Sequence, residues 1–243
     1  MVVVLLLAIQ TAAHVGLRVV GQRYGFALSG FAAGFVSSTS TFAAMAARSK
    51  EEPHLAAQCA SGCLLSQLAS TLQLVGLVAF LAPQRLASLI GALGLSCAVL
   101  LIAGYWMVKR DNSRAVSEQT FPEKERAMFN PVHTLLFALL STLTIALGWV
   151  GKHLGDQATR FAAIAAGMAD LHASSAAMLS LAKETLPSGA AEHELLITIL
   201  GIAAVNACTK LVISYAGSRC FFRLVAPSLT LASLVSWLSL LLH

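Results

Sequence analysis

The chain has 243 residues, 57% of them hydrophobic and only 11% charged, where a soluble domain carries roughly a quarter charged residues. That balance excludes an ordinary water-soluble domain and points to helices that use a bilayer as solvent, each needing roughly 20 apolar residues to cross it. The net charge of +5 has no Lys/Arg-rich run behind it, so it reads as the basic residues of membrane borders and not as a nucleic-acid surface.

In chain order, the apolar runs and the charged stretches between them predict eight helices. MVVVLLLAIQTAAHVG opens the chain. It has the core of a signal peptide but no positive region before it, and its apolar pattern continues through Val19 and Val20. The expectation is a first transmembrane helix over about 2–20. A second follows over about 26–48 and ends in the charged turn RSKEEP. A third covers about 54–81 and stops before Pro83, and a fourth covers about 85–108. KRDNSRAVSEQTFPEKER is polar, contains Pro122 and reads as an extramembrane linker. Four more helices are expected over about 131–151, 159–183, 191–216 and 220–242. The fold class is therefore an all-α polytopic transmembrane bundle, with a first four-helix unit at 1–108, a linker at 109–130 and a second four-helix unit at 131–243. Lys and Arg divide almost equally between the two sides, so orientation stays open.

The halves resemble each other. Ala32-Ala33-Gly34 recurs as Ala165-Ala166-Gly167, and in the same register Ala43, Ala44 and Met45 match Ala176, Ala177 and Met178. Gly30 and Gly34 form a GxxxG, echoed by Ala163 and Gly167. Small residues four apart let helices approach closely, within one chain or in a homodimer. A four-helix unit returns to its starting side, so the two copies are expected to be parallel, and internal duplication around a central site is a habit of transporters.

Polar residues inside apolar helices carry the functional reading. Ser37, Ser38, Thr39, Ser40 and Thr41 stand in a row in the second predicted helix. In register with them the sixth has Asp170, His172 and Ser174. A charged Asp near a helix centre costs roughly 2.5–3.5 kcal/mol on insertion scales, so Asp170 asks for a reason: a cation or proton site, a structural ion pair or a neutral hydrogen-bonded acid. Successive helical residues turn by about 100°. Asp170 and Ser174 therefore share a face, as do Ser37 and Thr41, while His172 points away. Aiming Asp170 and His172 at one cavity, or using Ser38 as well as Ser37, requires a locally unwound helix. Unwound backbone is tolerated at membrane depth only where protein or a watery cavity covers it. Some of the hydroxyls are also expected to bond back to carbonyls one turn earlier. Asn206 and Lys210 lie one turn apart in the seventh helix, with Lys210 the expected counter-charge for Asp170. Ser66, Gln67 and Ser70 occupy the comparable zone of the third, and Gln10 and His14 that of the first.

Of the five cysteines, Cys59 and Cys63 are one turn apart and could be soft metal ligands, although small packing residues fit the spacing as well. No nucleophile–base pair or HExxH motif suggests an enzyme.

GFAAGFVSSTSTFAAMAARSKEEP resembles the Gly-x-x-x-Gly-x-x-Ser-Ser-Thr segment of the C-terminal membrane domain in the MgtC/SapB-like family. GMADLHASSAAMLSLA is similar to that family's Gly-x-x-Asp segment, and VNACTKLVISYAG to its Asn-x-x-x-Lys segment. His172 departs from the pattern where a second acidic residue is common, and Ser70 where an arginine is common. The resemblance implies a multi-pass protein of the bacterial inner membrane with a link to divalent-cation homeostasis. The expected function is a transporter or channel, a divalent cation favoured over another ion or small solute. Its polar site would be lined by Ser37, Ser38, Thr41, Asp170, His172, Ser174, Asn206 and Lys210, with Asp170 and His172 as the ligands of any bound metal ion. The alternative is a membrane regulator that transports nothing and binds another membrane protein.

Overall fold

A computed structural model describes residues 25–111, 155–185 and 189–241, together with Thr142 and Trp149. The first predicted helix, with Gln10 and His14, lies outside the described residues. So do most of the linker and nearly all of the fifth predicted helix.

Among the described residues the chain is all-helical, with seven α-helices, the expected sixth helix forming two of them. They are α1 (Gly25–Glu51), α2 (Ala56–Leu81), α3 (Leu86–Asp111), α4 (Asp156–Ala166), α5 (Leu171–Thr185), α6 (Gly189–Gly217) and α7 (Arg219–Leu241). Short 3-10 turns at Pro53–Leu55 and Pro83–Arg85 lead into α2 and α3. Each starts on a proline, whose missing N–H and fixed φ suit the first position of a helical turn.

Among the described residues four stretches are long and apolar enough to cross a membrane: Pro53–Leu81, Pro83–Lys109, His193–Gly217 and Arg219–Leu240. The protein is therefore read as a membrane protein. α3 makes the physical case. It is the most hydropathic of the four, yet Ile90, Leu95, Leu101, Ile102, Tyr105 and Trp106 are all exposed. An apolar helix face left in water would be a liability of several kcal/mol, whereas against lipid tails it is matched to its solvent.

Two compact units can be separated, each assembled from non-consecutive stretches. The first takes the described parts of Met1–Gln73, Ile90–Phe121 and Thr209–His243, and the second those of Leu74–Leu89 and Pro122–Cys208. Each predicted half, 1–108 and 131–243, contributes to both.

In the first unit the core is built from Phe26, Phe42, Met45, Cys59, Cys63, Leu64, Leu100, Phe221, Val225 and Leu229. Cys59 and Cys63 sit inside this apolar cluster as free thiols, the packing role that their one-turn spacing allows. α1 and α2 touch at backbone distance. A Cβ on Gly30 would fall on the Gly62 backbone and one on Gly34 on the Ser66 backbone. The GxxxG of α1 is thus taken up by a crossing within the chain. In the second unit Gly167 is packed on Ile202 and Gly201 on Ile164, so α4 lies close along α6. An Arg160–Glu194 ion pair joins the same two helices.

Candidate functional site

Among the described residues two predicted helices are interrupted, and both breaks fall on polar residues that the sequence singles out. In α1 the break is at Ser37, whose φ of −164° and ψ of 105° are extended. The hydroxyls around it divide the work. Ser37 Oγ accepts from the Ser40 amide at 3.3 Å, as an N-cap does for the helix that resumes there. Ser40 Oγ and Thr41 Oγ1 both donate to the Ser37 carbonyl, at 3.0 and 2.8 Å. That is the expected back-bonding onto a carbonyl one turn earlier.

Ser38, the first residue past the break, is left to face a neighbour. Lys210 of α6 donates to Ser38 Oγ at 2.8 Å and to Gln67 Oε1 of α2 at 2.5 Å. Its ammonium also lies 5.7 Å from the centroid of the Phe42 ring, within cation–π range. Lys210 is 0% exposed. A buried ammonium loses hydration worth several kcal/mol, and these acceptors and the ring return part of it. Thr41 is buried beside this cluster but spends its hydroxyl on its own backbone.

The second break corrects the single helix expected over 159–183. α4 stops at Ala166, and the chain tightens through turns in which Met168 N donates to Ala165 O and Ala169 N to Ala166 O. α5 begins at Leu171. Asp170 is its N-cap: Oδ1 accepts from His172 N at 2.7 Å and Ala173 N at 2.9 Å. A carboxylate suits this position because it meets both unpaired amides and the positive end of the helix dipole. The Asp170 side chain stays 32% exposed, with His172 Nδ1 3.9 Å from Oδ1. Asn206 of α6 donates through Nδ2 to the Gly167 carbonyl at 3.0 Å, a carbonyl that the break has freed. Ser174 is buried within α5.

The predicted residues therefore gather into two groups. Ser37, Ser38, Thr41 and Lys210 belong to the first unit, and Asp170, His172, Ser174 and Asn206 to the second. Asp170 and Lys210 fall in different units, and each meets the partners described above inside its own. Gln67, noted in the sequence only as a polar residue of the comparable zone, is a direct partner of Lys210. Phe42 and the Gly167 carbonyl escaped the sequence reading, because a ring under an ammonium and a freed carbonyl depend on where helices cross and break. Among the described residues no three His, Cys, Asp or Glu side chains cluster as metal ligands would.

A polytopic helical membrane protein with interrupted helices is the class that fold and site define. The chain matches the family described as "Domain of unknown function (DUF4010)" over residues 4–217, and it belongs to that family. No curated protein and no solved structure matches it.

Proposed function

We propose that this chain is a secondary transporter, with no enzymatic activity, that carries a small anionic solute through a site at the Ser37 break. The observation that carries the reading is Lys210, a fully buried cation aimed at the first residue of the resumed helix. An ammonium and a helix N-terminus both favour negative charge, and discontinuous helices recur at the substrate sites of secondary transporters. Ser38 and Gln67 then serve as exchange partners for the ammonium when cargo leaves. The divalent cation favoured by the sequence fits this site less well, because Lys210 would repel it.

The two breaks fall in register, Ser37 matching Asp170, which supports reading the chain as two related halves. The likeness to the MgtC/SapB-like membrane domain, and with it a bacterial inner-membrane location, belongs to the same proposal.

The test is uptake by proteoliposomes of the purified chain across a panel of inorganic anions and small carboxylates. Uptake of at least one anion above empty liposomes is the expected result. No uptake across the panel, or uptake confined to divalent cations, overturns the reading.

A further inference from the structure

We propose that the break between α4 and α5 holds a monovalent alkali cation of about sodium's size, ligated by Asp170 and by the side-chain oxygen of Asn206. This rests on the transporter reading only for its purpose, as the ion whose gradient drives uptake.

Asn206 carries the inference. It is 2% exposed, and its Oδ1 has no hydrogen-bond partner among the described residues. Its orientation is fixed by chemistry. The Gly167 carbonyl can only accept, so the amide nitrogen must face it and the oxygen must face elsewhere. A buried amide oxygen without a partner costs about 1–3 kcal/mol. That orphan oxygen is explained by a ligand bound at the break. Because Nδ2 is anchored on Gly167, that oxygen lies at the break itself.

Asp170 stands at the same break. Oδ1 is held by two amides of its own helix, which fixes the carboxylate in place and leaves Oδ2 unused by them. The side chain is part-exposed, so an ion can reach it. Oxygen donors of this kind, carboxylate and amide, suit a hard cation. Charge sets the valence. One carboxylate with neutral oxygens balances a single positive charge, whereas a divalent ion would ask for further carboxylates, and no cluster of three potential ligands occurs among the described residues. The Arg160–Glu194 pair on the same helices is internally neutral and leaves that balance unchanged.

The experiment is radiosodium binding to the full chain in detergent, alongside thermal unfolding in sodium chloride and in choline chloride at equal ionic strength. Saturable binding and a higher Tm in sodium are expected. Asp170→Asn keeps a competent N-cap and should lose both effects while retaining its Tm in choline. Asn206→Ser should weaken binding roughly 10–100-fold. Lithium should displace radiosodium, and magnesium at the same concentration should not. Competition on the wild-type chain decides the matter if either variant fails to fold. The proposal is overturned by absent sodium binding in the wild type, by unchanged affinity in Asp170→Asn, or by equal displacement by magnesium. Sodium binding without anion uptake would leave this site standing and remove the transporter reading. Anion uptake with no sodium binding would do the reverse.

Discussion

At the scale of the residue, several of the polar side chains inside the apolar helices answer a definite backbone need. Asp170 closes the start of α5, and Ser37 closes the resumed half of α1. Replacing an N-cap by alanine costs about 0.5–2 kcal/mol, and by asparagine far less than that. Asp170→Ala should therefore lower the midpoint of chemical denaturation in detergent, and Asp170→Asn should leave it close to wild type in sodium-free buffer. Equal losses in both would mean that the carboxylate charge, and not the cap, holds this turn. Asn206→Leu should cost about 1–3 kcal/mol, because it strips the buried Gly167 carbonyl of its donor. The special status of Asp170, Asn206 and Lys210 was legible in the sequence, since polar groups at membrane depth are expensive and must be explained. Their partners were not. Ser38 and Lys210 lie 172 positions apart in the chain, and no local pattern reports such a meeting.

At the scale of the element, the decisive features are where helices break and where they touch. Sequence periodicity predicts the sixth helix as continuous, and it is split between Ala166 and Leu171. The signal was present in weak form: a glycine at 167, then Asp170 immediately before an apolar run, the order of a stop followed by an N-cap. The break in α1 is marked only by the row of hydroxyls from Ser37 to Thr41, since serine is a favoured N-cap. Proline does not settle the question either, since α7 runs through Pro227 to Leu241. Contacts between elements follow small residues more faithfully. Gly34→Val would drive a branched side chain into the Ser66 backbone, which cannot yield as a side-chain tip could. It should destabilise the first unit by about 1–3 kcal/mol or more. Gly94→Ala in α3 meets nothing within 4 Å, and should be neutral or stabilise by roughly 0.5–1 kcal/mol through helix propensity. Thermal unfolding of the two variants separates the predictions, and a neutral Gly34→Val would mean that α1 and α2 do not cross at this glycine.

At the scale of the whole molecule, composition alone fixed the all-helical membrane class. Apolar surface is distributed as a bilayer requires, with α3 and α7 showing large hydrophobic side chains outward. The order of the apolar segments gave two consecutive halves, but the compact units draw on non-consecutive stretches whose boundaries fall inside α2, α3 and α6. Segment order says which helices exist, and packing of distant segments decides which ones share a core. The central claim is that the buried ammonium of Lys210 at the Ser37 break recognises an anionic cargo. Its most direct test is anion uptake by proteoliposomes holding equal amounts of wild type, Lys210→Arg and Lys210→Met. Loss of a charge contact worth about 1.5–3 kcal/mol should lower uptake by Lys210→Met roughly tenfold or more, with partial activity in Lys210→Arg. Wild-type uptake by Lys210→Met would contradict the account.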